Sequence, residues 1–312
     1  MDTARTRPLV EGALLAALVA LLGLFSFYSG FGWLQPIPAL LAYVRNGARN
    51  ALLVATVGAG LLALWIGPLP ALASLVFVAA LGLAPGWAVG RGAGAGTTIA
   101  VMTLSVLCGA AAVAGAALLV WHANPWMDLW GWVQGFLTTH ARLVRRTTGM
   151  PPSQLAPRLL KVAPVAAGLI AAVQAAGVYG LAAAVLRRLG HPLPAVPPFA
   201  AWRAPLWVVW PFAAGIAVML WPMGKGPATA ALNVTMAVGT VYSVVGFGVC
   251  YGWLRAHRLL RGTAALVLLG LAGLLGGVGL GAAPAALGLV SSVWARLRRA
   301  VDDPGTDEGE SV

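Results

Sequence analysis

Residues 98–121 read TIAVMTLSVLCGAAAVAGAALLVW, a run without one charged side chain. A helix rises 1.5 Å per residue and the hydrocarbon core of a bilayer is about 30 Å thick, so this stretch predicts a helix that crosses a membrane. Working outward, comparable apolar runs occur at 9–28, 51–66 (short), 69–90, 161–187, 204–221, 228–254 and 263–281. Two shorter segments, 33–44 and 283–296, predict short or re-entrant helices. Pro and Gly stand at nearly every junction, among them Pro36, Pro38, Pro68, Pro70, Pro205, Pro222, Pro227 and Pro284. The fold class is therefore all-α, a polytopic transmembrane bundle of about eight or nine helices with one interfacial amphipathic helix.

The composition of the whole chain agrees. It is 60% hydrophobic and 9% charged, with a mean hydropathy of +0.87. A soluble domain carries about 25% charged residues to cover its surface, so this exterior faces lipid. The formal charge is +12, but the arginines fall in short clusters between apolar runs: Arg45 with Arg49, Arg142 with Arg145 and Arg146, Arg187 with Arg188. That placement is loop charge that orients a membrane protein, not the contiguous basic face of a nucleic-acid binder. The lipid bilayer is the expected partner and no nucleic acid is expected. The asymmetry predicts a bacterial cytoplasmic (inner) membrane protein with both termini in the cytoplasm. It also puts the basic 142–161 segment outside, against the same rule.

Tryptophans cluster near the ends of the runs, at 33, 65, 121, 126, 130, 132, 202, 221 and 253, as an interfacial belt does. Trp126, Leu129, Trp130, Val133 and Phe136 recur at helical spacing before the basic turn Arg142-Leu-Val-Arg-Arg, which predicts an amphipathic helix lying in the interface. The chain thus divides into an N-terminal transmembrane bundle (1–121), an interfacial segment (122–160), C-terminal transmembrane helices (161–299) and an acidic tail (300–312) that holds five of the eight carboxylates.

Between residues 12 and 301 the only acidic side chain is Asp128, so a paired-carboxylate acid/base site is excluded. His122, His140, His191 and His257 are far apart and lack metal-ligand spacing, so no metal, cofactor or catalytic residue is assigned, and the chain is not expected to be an enzyme. Cys108 and Cys250 lie inside apolar runs and read as small core residues. Glu11 falls at the start of the first helix, where the dipole favours it. The run Gly90-Arg-Gly-Ala-Gly-Ala-Gly-Thr-Thr follows a helix and lacks the Gly-Lys-Ser/Thr of a phosphate cradle; it predicts a turn with Thr97 or Thr98 capping the next helix.

Three features rise above this background. Gly12, Ala16 and Ala20 form a small-residue stripe that lets a helix approach closely. Pro36 and Pro38 break the backbone before a short apolar helix, and broken backbone at membrane depth normally lines a cavity. Gln174, Asn233 and Tyr242 are the main polar groups within spans, and Trp202-Arg203 stands at a helix start where it could anchor a head group or a ligand anion. These seven, Pro36, Pro38, Gln174, Asn233, Tyr242, Trp202 and Arg203, are the candidate ligand-cavity residues.

The pattern Gln35-Pro36-Ile-Pro38-Ala-Leu-Leu-Ala-Tyr-Val-Arg45-Asn-Gly47, followed by Leu83-Ala-Pro-Gly86-Trp-Ala-Val-Gly90-Arg91, resembles the YybS-like family of predicted multipass membrane proteins. Phe199-Ala-Ala-Trp202-Arg203-Ala-Pro205, Asn233, Val241-Tyr242 and Gly246 extend the likeness. The N-terminal helices look similar to the substrate-binding S components of energy-coupling factor transporters. That resemblance implies a substrate-binding or transport-related subunit without its own ATPase. A small-molecule ligand and a transmembrane coupling subunit would be its partners, the latter docked on Gly12, Ala16 and Ala20. The alternative is a membrane scaffold that binds lipid or a protein and transports nothing.

Overall fold

Every regular element among the described residues of the computed structural model is helical, as a chain must be that pairs its backbone groups internally within lipid. The structure describes residues 3–29, 32–221, 224–256, 286–292 and 294. The expected span at 263–281 and the acidic tail lie outside them, as does much of the 283–296 segment, of which 286–292 is helical.

In chain order the helices are α1 (Thr3–Ser29), α2 (Ile37–Ile66), α3 (Pro68–Val78), α4 (Ala84–Gly90), α5 (Ala95–Val120), α6 (Pro125–Thr139), α7 (Ala141–Thr148), α8 (Pro152–Arg188), α9 (Val209–Leu220) and α10 (Lys225–Ala256). Among the described residues six stretches are long and apolar enough to cross a membrane: Val10–Ser29, Ile37–Ile66, Pro68–Gly90, Ala95–Val120, Pro152–Arg188 and Gly226–Ala256. The expected eight or nine crossings are therefore not reached there. The 204–221 run opens as a loop and a 3-10 turn around Pro205, which leaves only Val209–Leu220 as α-helix. The runs at 33–44 and 51–66 join into α2.

That joining hides a reversal. Gly47 sits inside α2 at φ 82, ψ 176, a conformation open in practice only to glycine. A Cβ on Gly23 would meet both the Gln35 amide and Leu62, each at 2.5 Å. In a straight helix those two residues would stand about 40 Å apart. Glu11 pairs with Arg45 and Gly12 approaches Asn50, so 37–46 runs antiparallel to α1 and 48–66 runs back beside it. The expected short helix is real, and its span of about 15 Å covers half a bilayer.

Between α3 and α4 lies a π-helical turn, Ala79–Leu83. Pro85 explains it: the ring carries no N–H for the Leu81 carbonyl and crowds it, which widens the preceding turn. Gly82 in that turn rests on the backbone at Pro36 and Leu40, where a Cβ would meet the Pro36 carbonyl oxygen at 2.8 Å.

The chain forms two compact units. The first comprises Met1–Leu160 and Ala166–Val196; the second comprises Lys161–Val165 and Pro197–Val312. In the first unit, Leu40, Leu81, Met102, Val178, Tyr179 and Leu186 make one core and Ala16, Val19, Ala42, Val54 and Val78 another. Trp33, expected in the interfacial belt, packs instead on Gly177 of α8. Trp65, Trp126, Trp132, Trp221 and Trp253 are exposed, as a belt requires. The second unit is built around Val208, Val238, Tyr242 and Val245.

Two smaller expectations are corrected. Cys108 is exposed on α5 and not in the core, because a helix apolar on every side gives its sequence no signal of which face is inward. Gly94 is the N-cap of α5, and Thr98 donates back to the Gly94 carbonyl at 2.9 Å from within the first turn.

Candidate functional site

The small-residue stripe of α1 is occupied from within the chain. Gly12 and Ala16 are buried; Asn50 packs on Gly12, and Gly58 of α2 reaches the Ala16 carbonyl and Val19. Ala20 is half-buried. Absent side chains let α1 and α2 touch at backbone distance, the use small residues serve between membrane helices.

Pro36 and Pro38 are buried in the first unit at the start of α2. The break they make sits beside Gly23 of α1, and the Gln35 amide and Leu62 fill the space there. Its backbone groups are satisfied locally, with the Gln35 N–H on Gly32, the Ile37 N–H on Leu34 and the Leu40 N–H on Pro36. The Gln35 side chain, 3% exposed, donates to Ser74 Oγ at 2.5 Å and fills the notch left by Gly23. Gln174 is half-buried on α8, one residue before the core residue Ala175.

The remaining candidates lie in the second unit. Asn233 of α10 spends its whole amide on backbone: Oδ1 accepts from the Val165 N–H at 3.1 Å, and Nδ2 donates to the Lys161 carbonyl at 2.6 Å and the Thr229 carbonyl at 2.9 Å. Lys161 and Val165 are the i and i+4 partners of one helical turn, and Pro164 lies between them. The Asn233 amide thus bridges a donor and an acceptor on one turn of α8. Tyr242 is 1% exposed, packs edge-on to Phe212 at a ring distance of 6.0 Å, and its hydroxyl has no hydrogen-bond partner among the described residues. Trp202 donates to the Pro197 carbonyl at 3.0 Å, while Arg203 turns onto the Ala200 and Trp202 carbonyls. These contacts close a loop on itself.

The residues singled out from the sequence thus divide between the two units, Pro36, Pro38 and Gln174 in the first and Trp202, Arg203, Asn233 and Tyr242 in the second. The first unit carries a groove they did not mark. It runs between α3 and α5, has a volume of about 320 Å³, and is lined by Leu69, Ala73, Val76, Phe77 and Ala80 on one side and Val106, Ala110, Val113, Ala114 and Ala117 on the other, with Pro125 at its end. The helices are antiparallel here, since Leu69 lies at the Ala117 level and Ala80 at the Val106 level. The groove runs about 17 Å along the two helices. Alanines create it by withholding side-chain volume from two spanning helices. Every wall side chain is hydrocarbon.

Two polar clusters flank the first unit. Where α2 reverses, Arg45 and Glu11 form an ion pair at 2.7 Å, and the buried Asn46 and Asn50 amide nitrogens have no partner among the described residues. Sequence reading passed over Asn46 and Asn50, although two amides four apart on either side of a glycine were a visible signal. At the other end α6 begins at Pro125, with Asn124 Oδ1 capping the Trp126 and Met127 N–H groups at 3.2 and 3.3 Å. Trp130 and Val133 pack with Leu137, Val144 and Ala156, while Trp126, Trp132 and Phe136 stay exposed. The amphipathic segment thus consists of α6, a bend at His140, and α7.

Residues 13–275 match the family described as "Predicted membrane protein (DUF2232)". No curated protein and no solved structure matches the chain.

Proposed function

The chain belongs to the DUF2232 family of predicted membrane proteins, and on that premise we propose that it is a non-catalytic membrane scaffold whose site opens sideways into the bilayer and holds lipid. The observation that carries this is the α3/α5 groove: it lies on helices long and apolar enough to cross a bilayer and is walled by hydrocarbon along its length. Burying a chain there relies on packing, since lipid tails are as apolar as the walls, and the alanines supply close contact along its length.

The charge distribution supports an orientation. Arg45, Arg49, Arg91, Arg187 and Arg188 share one end of the first unit with the start of α1, and the positive-inside rule turns that end to the cytoplasm of a bacterial cell. The other end, with α6 and α7, then faces outward. A second reading, capture of a small molecule by a transport-related subunit, is favoured by the unpartnered Asn46 and Asn50 amides at a broken helix.

One experiment addresses both. Protein is extracted with its native lipids and compared with the A73L/A110L/A114L variant, which fills the groove, by native mass spectrometry and by cross-linking to a lipid carrying a photoreactive acyl chain. Label on α3 and α5 that disappears in the variant is the expected result. Label spread evenly over all exposed helices, unchanged by filling, would sink the scaffold reading. A bound non-lipid mass lost in N46A/N50A would replace it with substrate capture.

A further inference from the structure

The first unit keeps a second basic cluster at the end where charge bias disfavours one. Arg142, Arg145 and Arg146 follow the i, i+3, i+4 spacing of one helical face on α7, and all three are exposed. Val144 points the other way and is buried against Leu137 and Ala156. The arginines are therefore held outward by packing beneath them. Leu143 on α7 and Trp132 and Phe136 on α6 are also exposed, so the same segment presents hydrocarbon beside cationic side chains.

Nothing described in the chain neutralises this face. The ion pair found among the described residues is Glu11–Arg45. Asp128, the lone carboxylate between residues 12 and 301, sits in the first turn of α6, about 21 Å along the helical path from Arg142. Three like charges within one turn repel, and a helix of eight residues has little of its own to set against that. Placement of Arg145 and Arg146 in the last turn, near the negative end of the dipole, relieves part of the repulsion. The counter-charge that remains to be supplied must be anionic and must lie at the depth where exposed Trp and Phe meet the lipid head groups. Guanidinium forks match phosphate oxygens in a paired geometry.

We infer that the Arg142/Arg145/Arg146 face of α7 is a docking surface for the phosphate head group of an anionic bilayer lipid. The inference rests on the reading that α6 and α7 lie in the membrane interface, and is independent of what fills the α3/α5 groove.

The test uses the full chain in detergent micelles, titrated with phosphatidylglycerol or phosphatidylcholine and read by native mass spectrometry. Wild type is expected to retain phosphatidylglycerol in preference, with a preference that falls as salt rises. Each arginine near a charged lipid surface is worth about fivefold, so R142Q/R145Q/R146Q is expected to weaken phosphatidylglycerol binding about a hundredfold and leave phosphatidylcholine binding unchanged. The R142K/R145K/R146K variant retains most of the preference, which separates charge from packing, and R187Q/R188Q at the opposite end leaves the α7-dependent part intact. Circular dichroism confirms that the glutamine variant is folded. Equal retention of the two lipids by wild type, or undiminished preference in the glutamine variant, would overturn the inference. So would a preference that emerges only when residues 301–312 are removed, because the acidic tail would then be the occupant. A loss of groove labelling alone would leave the inference standing.

Discussion

Asn233 shows how one side chain in a membrane protein ties two helices together through their backbones. Its amide accepts from the Val165 N–H and donates to the Lys161 carbonyl of α8, where lipid offers such groups no partner. Asn233→Ala is expected to cost about 1–2 kcal/mol, the upper range for polar contacts between membrane helices. Detergent unfolding of the variant reads the loss, and an unchanged midpoint would refute the bridging role. That Asn233 holds helices together was legible from an amide in an apolar run. Its partners were not, because Lys161 and Val165 lie 72 and 68 residues earlier and only folding brings them to it.

Among the elements, α2 departs furthest from its sequence. Ile37–Ile66 are interrupted by Arg45, Asn46, Arg49 and Asn50, which divide them in the sequence into a short segment at 33–44 and a short run at 51–66, and one glycine joins the two as a hairpin. Gly47 has φ 82 and ψ 176, outside the left-handed helical well that asparagine tolerates. Gly149, which caps α7, has φ 69 and ψ 2 and lies inside it. Gly47→Ala and Gly47→Asn are therefore both expected to destabilise by about 1–3 kcal/mol, whereas Gly149→Asn is close to neutral. Thermal unfolding of the three variants in one detergent checks this, and rescue by asparagine at position 47 would contradict the assigned backbone. The short helix itself was readable from Pro36 and Pro38, which mark its start, while its direction was not. Direction follows from Gly23, which accepts Gln35 and Leu62 at one point.

Across the first unit, the contacts place Gly94 and the arginines of one end opposite His122 and the α6–α7 segment, with α5 between them. Single-cysteine variants Gly94→Cys and His122→Cys, in a background with Cys108 and Cys250 replaced by serine, are expected to react with an impermeant thiol reagent from opposite sides, Gly94→Cys from the cytoplasmic side. Labelling of both from one side would invalidate the orientation and the count of crossings together. The helical, lipid-facing character of the molecule survives whichever side proves cytoplasmic, because it depends on hydropathy and not on charge.

From sequence alone, the class of this protein is settled by arithmetic: too few charges to cover a water-facing surface, and apolar runs as long as a bilayer is thick. Chain ends of helices, the belt of exposed tryptophans and the family likeness follow from the same local information. Tertiary structure decided which apolar residues face protein and which face lipid, that the α1 stripe is filled by α2, that α2 reverses, and that alanines of α3 and α5 leave a groove. The physical reason is that lipid and protein interior are equally apolar, so membrane helices carry little amphipathic signal and their partners are chosen by shape, which only the packed molecule possesses.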